Sequence, residues 1–296
     1  MTVPSIAKST YTQTDIAELI VSPFIYIRFH AMASAAAEVI DLGGTVTART
    51  ITNTVNNDFI TPYGLFAPAA SGAPFMHIKT SDADWDAVRN VMRLDTGEFV
   101  LVLTGIEIIA TAVGNENLIS AGLTRGGSPA DSWAWRSATS GDTWGFRIRS
   151  RDGTSNQSAV LSTTNIGGTG LFSLSGQLDL LNNLQTVMID GDTDKLNSNV
   201  IVADGGSYAD NQLAYPSLGR VGTPSLDYGV NFFAETRQDS EADTNISNLN
   251  LTAENTGIKD ILVVKFATRP TDAQIAVILA QHRDNLGSLP EGLIGL

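Results

Sequence analysis

The stretch Ile258–Arg283 constrains this chain more than any other. Ile261-Leu262-Val263-Val264 and Phe266 form a short apolar run of β-branched and aromatic residues, which reads as a buried strand. Pro270 ends it, and Thr271 stands where a helix N-cap belongs, with Gln274 rather than Glu three residues on. Ile275, Ile278 and Leu279 then recur at helical spacing towards Asp284-Asn285, and Gly287 stops the segment. A closing strand thus passes into a helix packed outside the sheet or at one end.

The remainder reads almost entirely as β. Phe99–Ile109, preceded by the turn residues Thr96-Gly97, is too continuous for a half-exposed strand and is expected at a sheet centre. Strands are also expected at Phe24–Phe29, Thr45–Val55, Phe59–Leu65, Phe75–Ile78 and Ile119–Leu123. A hairpin turns at Ser140-Gly141-Asp142, and period two sorts its residues. Trp133 and Trp135, then Trp144, Phe146 and Ile148, face the core, while Arg147, Arg149 and Arg151 form an outward row. Thr163–Gly176 is Gly/Ser/Thr-rich and reads as a loop around Leu171-Phe172. Leu184–Ile189 and Asn199–Ala203 are expected as strands joined across Asp190–Asp194, followed by Tyr215–Val221 and Val230–Thr236. No repeat or linker divides the 296 residues. The expectation is an all-β, antiparallel two-sheet jelly roll over 23–285, with an N-terminal arm (1–22) and a C-terminal tail (286–296).

Charge and composition remove whole classes of function. Thirty-one acidic against 18 basic residues give a net charge of −13, which repels a phosphate backbone and argues against nucleic acid as partner. The absence of cysteine excludes disulfides, thiolate nucleophiles and zinc–thiolate sites. The apolar segment Ile16–Phe29 is interrupted by Glu18, Pro23 and Arg28, so neither a signal peptide nor a membrane helix is expected.

Taken in order, Asp41-Leu42-Gly43, Phe59-Ile60, Tyr63-Gly64-Leu65, Phe99–Leu103, Gln185–Gly191 and the joint Ile258–Ala280 resemble the concanavalin-A-like, laminin-G-like jelly-roll family. The resemblance covers roughly Phe24 to Asp284. It implies two antiparallel sheets packed face to face, on a scaffold that hosts lectins, glycosidases, adhesion modules and viral surface proteins.

Chemistry is sparse. Glycosidases of this fold that resemble laminarinases carry Glu-x-Asp-x-x-Glu; Glu241-Ala242-Asp243 begins that pattern, but Ile246 replaces the second Glu. His30, His77 and His282 form no metal-spaced pair, and His282 near the helix end suits the dipole as a cation. Lys265, Arg269 and His282 show no partner at recognisable spacing. Asp190, Asp192 and Asp194 have the opening spacing of a calcium loop, but Lys195 and Ile201 occupy the positions of its Gly and final Glu. Calcium is the one cofactor these residues suggest, as a loose contact; no other cofactor is implied.

Three functions follow. The first is a non-enzymatic structural protein of a virus particle, resembling tailed-bacteriophage decoration or tail accessory proteins. It would be a homo-oligomer with other virion proteins as partners, with Arg147, Arg149, Arg151, Asp239, Glu241 and Asp243 as rim contacts. The second is a carbohydrate-binding module for a cell-surface glycan, with Tyr208, Tyr215 and Tyr228 as candidate platforms. The third, a glycoside hydrolase, needs a carboxylate pair that the sequence does not single out.

Overall fold

The computed structural model describes residues 25–29, 38–42, 45–49, 60–61, 64–66, 76–78, 98–109, 117–123, 131–137, 144–149, 157–161, 169–179, 181–182, 184–190, 192–200, 202–203, 206–207, 228–232, 256–284 and 286. Its strands are β1 (Ile25–Arg28), β2 (Glu38–Leu42), β3 (Thr45–Arg49), β4 (Ile60–Thr61), β5 (Gly64–Phe66), β6 (Met76–Ile78), β7 (Phe99–Ile108), β8 (Asn117–Leu123) and β9 (Asp131–Ser137). They continue as β10 (Trp144–Arg149), β11 (Gln157–Leu161), β12 (Gly170–Asp179), β13 (Leu184–Ile189), β14 (Asp192–Val200), β15 (Val202–Ala203), β16 (Gly206–Ser207), β17 (Tyr228–Phe232) and β18 (Thr256–Phe266). One helix, α1 (Asp272–Asp284), follows β18.

The chain is an all-β sandwich. The larger sheet runs β14-β13-β12-β7-β18-β1-β2-β3, with the short β4–β5 pair attached to β18. The smaller runs β11-β10-β9-β8-β17-β6. Neighbouring strands are antiparallel, as in β7 with β12 and β18. No helix among the described residues is long and apolar enough to cross a membrane.

The two apolar runs sit where continuous hydrophobicity requires. β7 lies between β12 and β18, and both β7 and β18 are buried on both faces. Their inner face meets the second sheet; their outer face meets α1. Phe99, Leu101 and Leu103 of β7, Leu262, Val264 and Phe266 of β18, and Tyr26 of β1 cluster with Ile275, Ile278 and Leu279. Burial of each of those three helix side chains contributes about 1.5–3 kcal/mol. α1 opens with a reciprocal cap: Gln274 N–H donates to Thr271 Oγ1 at 3.3 Å, and Thr271 N–H donates to Gln274 Oε1 at 2.8 Å. Glutamine serves here as glutamate would.

Two expectations need correction. Thr163–Gly176 is not simply a loop, because its last residues begin β12, a ten-residue strand at the heart of the larger sheet. The small residues that suggest a loop answer a packing need. A Cβ on Gly176 would lie 2.8 Å from Phe146 Cγ of the opposite sheet, so only glycine admits the phenyl ring there. Gln185 of β13 also crosses the gap, donating from Nε2 to the Phe146 carbonyl. The second correction concerns Asp190–Asp194. β14 already begins at Asp192, so Asp190-Gly191 alone separates the paired strands. Asp190 has φ 55°, the left-handed conformation of tight hairpin turns. Three residues of the Trp hairpin lie in the core as expected: Trp135 pairs with Phe146 across β9–β10, their rings 5.0 Å apart, and Trp135, Trp144 and Phe146 are fully buried.

The expected strand Tyr215–Val221, the arm (1–22) and the tail beyond 286 lie outside the described residues.

Candidate functional site

The described polar chemistry converges under the last turn of α1, beginning with an irregularity in β18. Ile258 pairs with Ile106, yet Asp260 pairs with Gly105, the very next residue of β7. Lys259 is therefore the extra residue of a β-bulge, and it forms an ion pair with Glu107 at 2.7 Å. While the bulge lets Ile258 face the other way, Asp260 lies on the outer face beside Leu262, by regular alternation, and under the helix. Gly105 makes room for it, since a Cβ there would sit 2.8 Å from Asp260 Oδ1.

Four donors or partners meet on this carboxylate and its neighbour. Gly105 N–H donates to Asp260 Oδ1 at 2.8 Å, and Tyr26 Oη donates to Oδ2 at 3.0 Å. His282 Nε2 lies 3.1 Å from Asp260 Oδ1, and its Nδ1 lies 2.6 Å from Ser173 Oγ on β12. Ser173, Asp260 and His282 are essentially inaccessible, at 1%, 0% and 0% exposure. Burial by itself pushes the Asp260 carboxyl up. The charge and hydrogen bond of His282, with the Gly105 and Tyr26 donors, outweigh it and hold the group below the ordinary carboxylate value.

The cluster extends to the hairpin turn. Asp190 Oδ1 accepts from Ser173 N–H at 2.8 Å, Asp190 N–H donates to the Ser173 carbonyl, and Arg283 Nη1 donates to the Asp190 carbonyl at 3.1 Å. A second polar group anchors the other end of the helix. Arg269 Nε donates to Asp179 Oδ2 at 2.7 Å and Nη2 to Asp272 Oδ1 at 2.8 Å, while Arg269 N–H reaches Glu98 at 3.2 Å. The Arg269 guanidinium also lies 5.6 Å from the Phe99 ring centre. The Asp272 hydrogen bond leads in holding Arg269 above its ordinary pKa, burial opposing and Asp179 assisting.

Hydroxyl, imidazole and carboxylate in this order form the relay by which a base activates a nucleophile. Here the relay is sealed. A substrate could reach Ser173 only if α1 moved, and α1 carries the imidazole with it. The arrangement joins helix to sheet through charge-assisted hydrogen bonds.

This corrects the reading of His282 as a helix-end cation without partners, and Arg269 likewise has partners. One signal was present: His282 stands seven residues after Ile275, on the same face as Ile278 and Leu279. Asp190 occupies the turn with its carboxylate turned to Ser173, while Asp192 and Asp194 follow on β14. No group of three or more His, Asp or Glu side chains suited to a metal ion converges among the described residues. Arg147 and Arg149 hold alternate positions on β10, opposite Ala134 and Ala159 and opposite Gln157. Tyr228 opens β17 opposite Leu123. Arg151, Tyr208, Tyr215, Asp239, Glu241 and Asp243 lie outside the described residues.

No protein-family model and no curated protein matches the chain. Solved structures do. A structure of botulinum neurotoxin type C, concerned with cell entry dependent upon interaction with two ganglioside molecules, matches with TM-score 0.51 and 12% identity over 90% of this chain and 52% of that one. The binding domain of botulinum neurotoxin serotype C1 matches with TM-score 0.50 and 12% identity over 92% and 53%. A Trypanosoma rangeli sialidase matches with TM-score 0.50 and 14% identity over 97% and 36%. The chain thus spans about half the length of the neurotoxin chains. At these identities the likeness is one of fold.

Proposed function

We propose that this chain is a non-enzymatic, carbohydrate-binding module that engages a cell-surface glycan through loops at one end of the sandwich. The observation that carries this reading is the shared architecture, over nine-tenths of the chain, with a neurotoxin whose cell entry depends on gangliosides. The sealed Ser173–His282–Asp260 cluster supports the absence of catalysis, because the hydroxyl is inaccessible while the relay is assembled. Fold alone does not assign function, so the glycan-contacting residues carry the burden. Tyr208, Tyr215 and Tyr228 are those residues in this proposal, presenting aromatic faces to sugar rings.

The virion reading, with homo-oligomers and the Arg147/Arg149/Arg151 row at subunit rims, draws support from composition and absent motifs only. No structural observation adds to it.

A glycan array carrying sialylated and neutral oligosaccharides tests the proposal. Binding that falls at least about tenfold in Tyr228→Ala, Tyr208→Ala or Tyr215→Ala would support it. No binding by the wild-type chain to any glycan, or hydrolysis of a bound oligosaccharide, would overturn it.

A further inference from the structure

We propose that α1 is a detachable cover over the outer face of β12, hinged at Ala267–Pro270 and latched through His282. The inference starts from a mismatch between neighbouring strands. Under the helix, β7 presents Phe99, Leu101 and Leu103, and β18 presents Leu262, Val264 and Phe266. On the same face β12 presents Ser173, Ser175, Gln177 and Asp179, all buried. A face covered permanently by Ile and Leu side chains would gain from apolar residues at all four positions, since burying polar groups is unfavourable unless each is paired. A strand that meets water part of the time needs them polar.

The hydrogen bonds of this row fit a cover that opens from one end. Ser175 and Gln177 bond to each other, Gln177 Nε2 donating to Ser175 Oγ at 3.2 Å. The row's bonds to the helical segment lie at its two ends, Asp179 with Arg269 and Ser173 with His282. The Arg269 end is held firmly by Glu98, Asp179 and Asp272, directly after the exposed bend at Ala267 and Thr268. That end is the pivot. At the free end, opening breaks the contacts of His282 with Ser173 and Asp260 and that of Arg283 with the Asp190 carbonyl. What it uncovers on β12 is a hydroxyl and amide surface that water solvates readily.

Native-state hydrogen exchange on the full chain, across low denaturant concentrations, tests this. The amides of 276–284 are expected to exchange at least about 100-fold faster than those of β7 and β18. The opening responsible should depend less on denaturant than global unfolding, since it exposes only Ile275, Ile278, Leu279 and the face beneath them. His282→Asn is expected to speed exchange in α1 at least about tenfold while leaving β7 within about twofold. Should that variant fail to fold, Ser173→Ala removes one half of the latch and is expected to move exchange in the same direction. Equal protection and equal denaturant dependence of α1 and β7 in the wild type would overturn the proposal. So would a latch variant that accelerates β7 as much as α1.

Discussion

The two faces of β12 are held by different physics. Inwards, Leu174, Gly176 and Leu178 meet the second sheet by shape, with glycine shaved to the backbone so that Phe146 can seat against it. Outwards, Ser173, Ser175, Gln177 and Asp179 meet the helix segment or one another through directional bonds. Close apolar packing tolerates neither added nor missing atoms. Hydrogen-bonded contacts exchange readily with water and contribute little net stability each. One strand thus joins a rigid sandwich to a more weakly attached layer, and the difference lies in alternate residues.

That contrast can be broken from the inside first. Phe146→Ala, which empties the seat over Gly176, is expected to lower unfolding free energy by about 3–5 kcal/mol in urea titration. A loss below about 1 kcal/mol would mean the sheets do not rely on this contact. A paired comparison sharpens it. Gly176→Ala forces a methyl against the phenyl ring and should destabilise by about 1–3 kcal/mol. Ser175→Ala, one residue away on the other face, removes a single hydrogen bond and should change stability by about 1 kcal/mol or less. Equal losses at the two positions would erase the distinction between the faces.

The smallest expected effect is one of pH. Asp260 is held below its ordinary carboxylate value, so the folded state favours the ionised form. Its stabilisation is complete above the unfolded-state value and is lost as pH falls through the depressed folded-state value. In the wild type the urea midpoint should therefore decline from about pH 5 downwards, and in Asp260→Asn that decline should be shallower. Parallel slopes would show that Asp260 ionises alike in both states.

The sequence disclosed the apolar framework well. β7 and β18 are unbroken hydrophobic runs, so burial on two faces is written in their residue order. The hairpin's alternation puts Trp135, Trp144 and Phe146 in the core, although Ala134, next to Trp135 and out of phase with it, is buried as well. β12 was hidden by its composition, because serine and glycine are poor strand formers. Yet Ser173-Leu174-Ser175-Gly176-Gln177-Leu178-Asp179 alternates polar with apolar, and period two was the better guide than residue type. The cluster under α1 was harder still. Ser173 and His282 are 109 positions apart, and Asp260 stands 22 positions before His282, across the passage from β18 into α1. No local spacing encodes a partnership created by strand order. His282 alone left a trace, as the one ionisable residue on an apolar helical stripe.

The bulge at Lys259 has a further consequence for how such chains can vary. Ile258 and Asp260 are two residues apart and would share a face in a regular strand, but they point to opposite sides of the sheet. Lys259 thus acts as a frame shift written in backbone geometry. Upstream of it, even-numbered residues look into the sandwich; downstream, they look out to the helix. Its side chain can change, at the loss of an ion pair with Glu107. Its presence can be lost too, because without it Ile258 and Asp260 become consecutive, as their partners Ile106 and Gly105 are, and both parts of β18 keep their faces. Drift at that one position is thus free in both chemistry and length, whereas a deletion within Asp260–Phe266 would slip the regular ladder against β7.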